Sequence, residues 1–163
     1  MALEGTLHSI NVSGGGVPKT PRGSAEVRAS GVVGDRQADL RHHGGRERAV
    51  SVYSLDRILA LQREGHPIVP GSIGENLTLA GLDWTRLGPG ARLEIGEVLL
   101  EVTRAAEPCQ KIAASFRDGE FTRVSNRRHA GWSRFYTRVL REGVLTAGDA
   151  VVVVPAPQGM AGA

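Results

Sequence analysis

The sequence has 163 residues, 40% hydrophobic, 23% charged and 4% aromatic, with 22 glycines and 8 prolines. That length suits one domain with a real core, and near-average charge excludes wholesale disorder. Twenty basic residues against 17 acidic ones give a net charge of +3, and no basic stripe, aromatic stacking set or bilayer-length apolar run stands out. Nucleic-acid and membrane partners are therefore not expected. The first residues lack the basic and apolar blocks of a secretory leader, so a cytoplasmic protein is expected.

Short runs rich in Val, Ile, Leu and Thr, bounded by Gly, read as strands at 7–12, 25–33 and 49–53. Ser54 can then cap a helix over 55–64, with Leu55, Ile58, Leu59 and Gln62 on one face and Gly65 and Pro67 ending it. Further strands read at 76–79, 93–95 and 98–103. Turns at Pro89-Gly90 and Gly148-Asp149 each lead into an apolar strand, the second at 150–154. A short helix is expected after Pro108, because proline is preorganised for the first helical position. Residues 129–142 fit either type: Phe135, Val139 and Leu140 share a helical face, while Phe135-Tyr136-Thr137 suits a strand. The pattern predicts a mainly β fold, a single Greek-key-like barrel over 1–154 with a few short helices, and a flexible tail over 155–163.

Cys109 is the chain's one cysteine, which excludes an intrachain disulfide and any multi-cysteine metal site. It sits in Pro108-Cys109-Gln110-Lys111, after the strand at 98–103. With Pro108 as first helical residue, Cys109 falls in the first turn, where free N–H groups and the helix dipole favour a thiolate. Lys111 and Arg104 add positive charge nearby. A cysteine so placed serves as a nucleophile or a soft metal ligand. A small buried hydrophobe is the plainer alternative.

Two glycine-bearing segments add polar groups. Gly34-Asp35-Arg36-Gln37-Ala38-Asp39 leads to His42-His43-Gly44-Gly45, a loop between two strands. Adjacent histidines diverge too much to chelate one ion easily, so an anion- or cofactor-contacting loop reads better than a metal site, with a plain turn as the alternative. Gly71-Ser72-Ile73-Gly74-Glu75-Asn76 precedes a strand and can form a backbone nest, with Asn76 offering donor and acceptor. Arginine, present 18 times against two lysines, is the bidentate reader of phosphate and carboxylate.

In this order the pieces resemble the MOSC domain, the module at the C-terminus of molybdenum-cofactor sulfurases. The resemblance runs through Gly34-Asp35-Arg36-Gln37-Ala38-Asp39, His43-Gly44-Gly45 with Ala49-Val50 and Tyr53, and Gly74-Glu75-Asn76-Leu77. It continues with Leu93-x-Ile95-Gly96, Val102-Thr103, Pro108-Cys109-x-Lys111, Gly131-Trp132, Arg138-Val139-Leu140 and Gly148-Asp149, covering roughly residues 4 to 154. It implies a barrel likened to that of pyruvate kinase, with Cys109 as functional centre. The closest flavour is the stand-alone bacterial group that includes the hydroxylaminopurine-resistance proteins, which reduce N-hydroxylated bases with electrons from a partner. The larger bacterial relatives carry a C-terminal helical extension that this sequence does not show, and the mitochondrial amidoxime-reducing relatives have an N-terminal segment absent here. Those reductases also carry Arg two residues before the Asn of the third motif, where this sequence has Gly74.

What the resemblance implies divides into two chemistries on one sulfur. In the first, Cys109 is the catalytic centre and the protein ligand of a molybdenum cofactor. The cofactor's phosphate arm would lie against the His43-Gly44-Gly45 loop and the Gly74–Asn76 nest, with Arg36, Arg46 or Arg48 countering its charge and Lys111 as a further cofactor contact. The barrel mouth is the expected cavity, a small molecule the substrate, and a separate redox protein the electron source. In the second, Cys109 carries sulfur as a persulfide, or cleaves C–S or S–S bonds as a sulfurtransferase, fed by a sulfur donor protein. A non-catalytic binding module is a third reading. Pyridoxal phosphate is not expected, because it needs a Schiff-base lysine and belongs to the sulfurases' other domain.

Overall fold

The structure is a computed structural model and describes residues 3–36 and 45–156. His42, His43 and Gly44, and with them much of the expected tail (157–163), lie outside the described residues. Among the described residues eleven strands and one α-helix follow one another as β1 (Glu4–Val12), β2 (Thr20–Arg22), β3 (Ser24–Arg28), β4 (Gly31–Val32), β5 (Val50–Ser54), α1 (Leu55–Arg63), β6 (Leu77–Ala80), β7 (Arg92–Ile95), β8 (Val98–Ala106), β9 (Arg134–Arg141), β10 (Gly143–Thr146) and β11 (Ala150–Val154). Short 3-10 turns fill the connections. The main sheet runs β11-β7-β8-β9-β5-β6-β1, and β1 pairs back onto β11, closing a barrel of seven strands. β2 continues the sheet beyond β1, and β10, β3 and β4 form a small second sheet.

The mainly β barrel with few helices is as expected. Closure works because β1 is long enough to serve three neighbours in turn: β11 through Glu4–Thr6, β6 through Thr6–Ile10, and β2 through Ile10–Val12. Gly5 sits where β1 meets both barrel partners, and a Cβ there would lie 2.2 Å from the Ala80 carbonyl oxygen. Inside, Leu7, Ile10, Val52, Leu77, Leu79, Leu93, Ile95 and Leu100 are fully buried, Leu77 and Leu79 and again Leu93 and Ile95 at the every-second-residue period of a strand.

Four expectations are corrected or made specific. The run at 25–33 is two strands, folded back on themselves as the β3–β4 hairpin. The ambiguous segment is strand β9, which pairs with both β5 and β8. The turn at Gly148-Asp149 leads into β11 as expected but joins the two sheets, since β10 pairs with β3 and not with β11. In α1, Ser54 Oγ accepts from Arg57 N as the expected cap, yet Ile58 and Leu61 are the buried pair and Leu59 points outward. The helix lies across the parallel β5–β6 connection, and that choice of neighbours rotates its buried face.

Candidate functional site

Cys109 is not in the first turn of a helix. Its backbone is extended (φ −134°, ψ 173°) and it precedes a six-residue 3-10 turn, Gln110–Ser115, accepting a hydrogen bond from Ile112 N at its carbonyl (3.2 Å). Pro108 therefore belongs to the extended entry rather than to the helix. Position is fixed from further along: Ser115 Oγ donates to the Ser72 carbonyl (3.3 Å), and Arg117 N donates to His66 Nδ1 (3.0 Å). Phe116 meets the buried His66 ring edge-on at 5.4 Å. These contacts tie the segment bearing the thiol to the loop after α1.

The partly buried Cys109 lines a cleft of about 660 Å³, counting its open mouth. Two wall residues come from β9: Arg134 and Tyr136. Ser51 of β5, the register partner of Tyr136, adds a third. The residues between them, Phe135 on β9 and Val50 and Val52 on β5, belong to the core. Strand alternation thus places the cleft on the outer face of the β5–β9 wall. The expected barrel mouth is therefore corrected to this outer face; a separate hollow is lined by Trp84, Leu87, Ala105 and Phe135, without Cys109. The rest of the cleft comes from the 16–19 stretch, Arg36, Arg48, Ile73-Gly74, Lys111 and Ile112.

Electrostatically the cleft has one sign. Its charged lining residues are Lys19, Arg36, Arg48, Lys111 and Arg134, and no lining residue described is a carboxylate. Arg134 is 7% exposed; its Nη1 donates to the Ile73 carbonyl (3.1 Å), and its Nε has no partner. A buried guanidinium so sparsely bonded is costly unless an anion completes it. Gly74, at φ +89°, keeps the floor open: a Cβ there would press on Val17 Cγ1 at 3.1 Å and lie 3.9 Å from Arg134 Nη1. Glu75 beside it is fully buried, and loss of water pushes its carboxyl above the usual range, opposed by bonds from Gly71 N (3.1 Å) and Thr78 Oγ1 (3.0 Å).

The residues singled out from sequence fall into three groups. Cys109, Lys111 and Arg36 come together at the cleft, as does Arg48. Asn76 stands behind the wall, fully committed to the protein. Its Oδ1 accepts from Ser51 N (3.0 Å), and its Nδ2 donates to Asp35 Oδ2 (2.9 Å) and the Asn11 carbonyl (3.3 Å). Direct cofactor contact gives way there to wall-building. Gly45 is described, just before the 3-10 turn Arg46–Arg48, but does not line the cleft; His43 and Gly44 lie outside the described residues. Sequence reasoning missed Arg134, Tyr136 and Ser51, and gave Lys19 no role at the site. The i, i+2 spacing of Arg134 and Tyr136 was the available signal, readable once 129–142 is a strand. Among the described residues no group of three or more His, Cys, Asp or Glu side chains could hold a metal ion.

Comparison with known proteins agrees with this architecture. The family model described as MOSC domain matches residues 39–152. YflK, an uncharacterized protein of Bacillus subtilis, is 34% identical over 135 residues, covering 82% of this chain and 60% of YflK. A protein named Reductase from Gibberella moniliformis is 33% identical over 135 residues, covering 79% of this chain and 23% of that protein. The crystal structure of YiiM from Geobacillus stearothermophilus superimposes with a TM-score of 0.72 at 27% identity, covering 95% of this chain and 77% of that one. The chain thus spans about 60% of the length of YflK and a quarter or less of the fungal protein. A family match across most of the barrel, together with these relatives, establishes that the chain belongs to the MOSC domain family.

Proposed function

We propose that the cleft binds a molybdenum cofactor with Cys109 as its protein ligand, and that the protein reduces N-hydroxylated small molecules with electrons from an external donor. The observation that carries this reading is one soft sulfur donor in a cleft whose charged lining is wholly cationic. A bare ion does not fit, because Cys109 has no companion ligands among the described residues. A metal that arrives on its own anionic, sulfur-bearing scaffold does fit: it needs one thiolate from the protein and counter-charge around its phosphate. When bound, such a centre supplies electron transfer at an open metal position. The chain's residues do the rest. Arg134 offers a buried guanidinium with an unpaired Nε, Arg36 and Lys111 flank the thiol's cleft, and the bare Cα of Gly74 lets a ligand approach the floor. Where the resembling reductases carry Arg two residues before the motif Asn, this chain has Gly74, and Arg134 Nη1 would lie 3.9 Å from a Cβ placed there. The name Reductase of the fungal relative supports the activity class.

The test is elemental. Protein purified from a host that makes the cofactor should hold molybdenum near one per chain, and Cys109→Ser should reduce it to background. Background molybdenum in the wild type, with an extra sulfur on the Cys109 peptide by intact-mass analysis, would replace this reading with sulfur carriage.

A further inference from the structure

Two of the chain's 20 basic residues are lysines, and both, Lys19 and Lys111, line the Cys109 cleft. The other 18 are arginines, three of them in the same cleft, so charge and hydrogen-bond donors are already supplied there. What arginine cannot do is give up a proton, because its guanidinium stays charged under all working conditions. An ammonium here can give up a proton, which the cleft's arginines cannot.

The two lysines differ in how firmly they are held. Lys111 is exposed. Lys19 has a side chain only 9% exposed, and its Nζ lies 2.7 Å from Asp35 Oδ2. Asp35, 5% exposed, is itself fixed by Asn76 Nδ2 (2.9 Å) and by Ser13 N, which donates to its Oδ1 (3.0 Å). Asn76 in turn is pinned by Ser51 on the cleft wall. The chain Ser51–Asn76–Asp35–Lys19 therefore sets one ammonium at a defined place in the cleft. Of the other lining groups that carry a transferable proton, Cys109 is committed as a ligand and Lys111 is exposed, whereas Lys19 is held by a carboxylate whose side chain is 5% exposed.

We infer that Lys19 is the catalytic proton donor of the reduction, with Asp35 and Asn76 as positioning residues. The inference rests on the reductase reading above. Reduction of R–NH–OH takes two electrons from the external donor and two protons. The N–O bond breaks, an N–H bond forms, and the oxygen leaves as water. Lys19 delivers one proton to the departing oxygen and is recharged from solvent; the second proton comes from water.

The experiment uses the cofactor-loaded full chain, 6-hydroxylaminopurine as substrate and reduced methyl viologen as electron source, with molybdenum content and thermal melting recorded for every variant. Lys19→Arg keeps the charge and should keep molybdenum and fold while turnover falls about a hundredfold or more, the scale of a lost general acid. Lys19→Ala should behave alike and regain turnover with added methylamine but not guanidine. Asp35→Asn should lower kcat with KM and molybdenum little changed. Lys19→Arg turning over like wild type, or either Lys19 variant losing molybdenum, overturns the proton-donor role while leaving the reductase reading intact. A wild type that holds no molybdenum or fails to reduce the probe overturns the reductase reading, and this inference falls with it.

Discussion

Asn76 shows how a residue can matter to a ligand site without touching a ligand. Its amide joins β1, β5 and the Asp35 loop through buried bonds to Asn11 and Ser51 and a part-buried one to Asp35. Asn76→Ala should cost about 3 kcal/mol in chemical denaturation, since several buried partners lose their mates at once. Neighbouring Glu75 carries a pH signature. Burial is the leading cause that raises its carboxyl above the usual range, and its Oε1 has no hydrogen-bond partner. In acid, below the unfolded-chain value, both states are protonated and nothing is lost. As pH rises, the unfolded chain ionises first, so stability falls until the folded carboxyl also ionises. Glu75→Gln removes this loss. Its melting temperature relative to wild type should therefore improve from pH 4 to pH 7, and an unchanging difference would show that Glu75 ionises normally. At this scale the sequence exposed the cysteine and the third motif, because each is a rare residue type in a distinctive setting. It hid Arg134 among 18 arginines, since burial, not identity, sets it apart.

Elements were legible where one local rule governed them. The Ser54 cap and the Gly65 stop bracket α1 as read, and Ser54→Ala should cost about 1 kcal/mol in denaturant unfolding. Where neighbours decide, local rules failed. β9 is a strand because β5 and β8 both claim its backbone, whereas its own side-chain pattern served either period. The turn at Cys109 failed for a related reason. Pro108 is a good first helical residue in isolation, but the chain must leave β8 extended and cross to the His66 loop, which leaves room for a tight 3-10 turn alone. Trp132 illustrates the same dependence. It lies between the guanidinium groups of Arg57 (4.3 Å) and Arg123 (4.1 Å), while Arg123 also grips Glu64 with two bonds and holds that carboxyl below its usual range. The loop into β9 is thereby clamped to the end of α1.

At the level of the whole molecule, the barrel class was readable from short strands and glycine punctuation, but its closure was not, because the pairing of β1 with β11 joins the two ends of the sequence. Gly5 lies in that seam, paired with Val151, and its other side faces β6. Gly5→Ala should lower the melting temperature steeply, by an amount corresponding to about 2 kcal/mol or more, because its methyl would meet a backbone carbonyl that cannot retreat without opening the β1–β6 ladder. A variant as stable as wild type would mean that the seam yields. The placement of the cleft was likewise out of reach of the sequence, since inside and outside of a barrel wall are defined only once the register is known.

That external placement has an evolutionary corollary. The floor of the cleft belongs to a hydrogen-bonded wall, whereas much of its rim comes from the 16–19 stretch and the short turn after Cys109, which take no part in the seven-strand ladder. Insertions and exchanges along that rim leave the hoop of strands intact. Such a molecule can reshape its cleft one loop at a time while the strands behind it stay as they are.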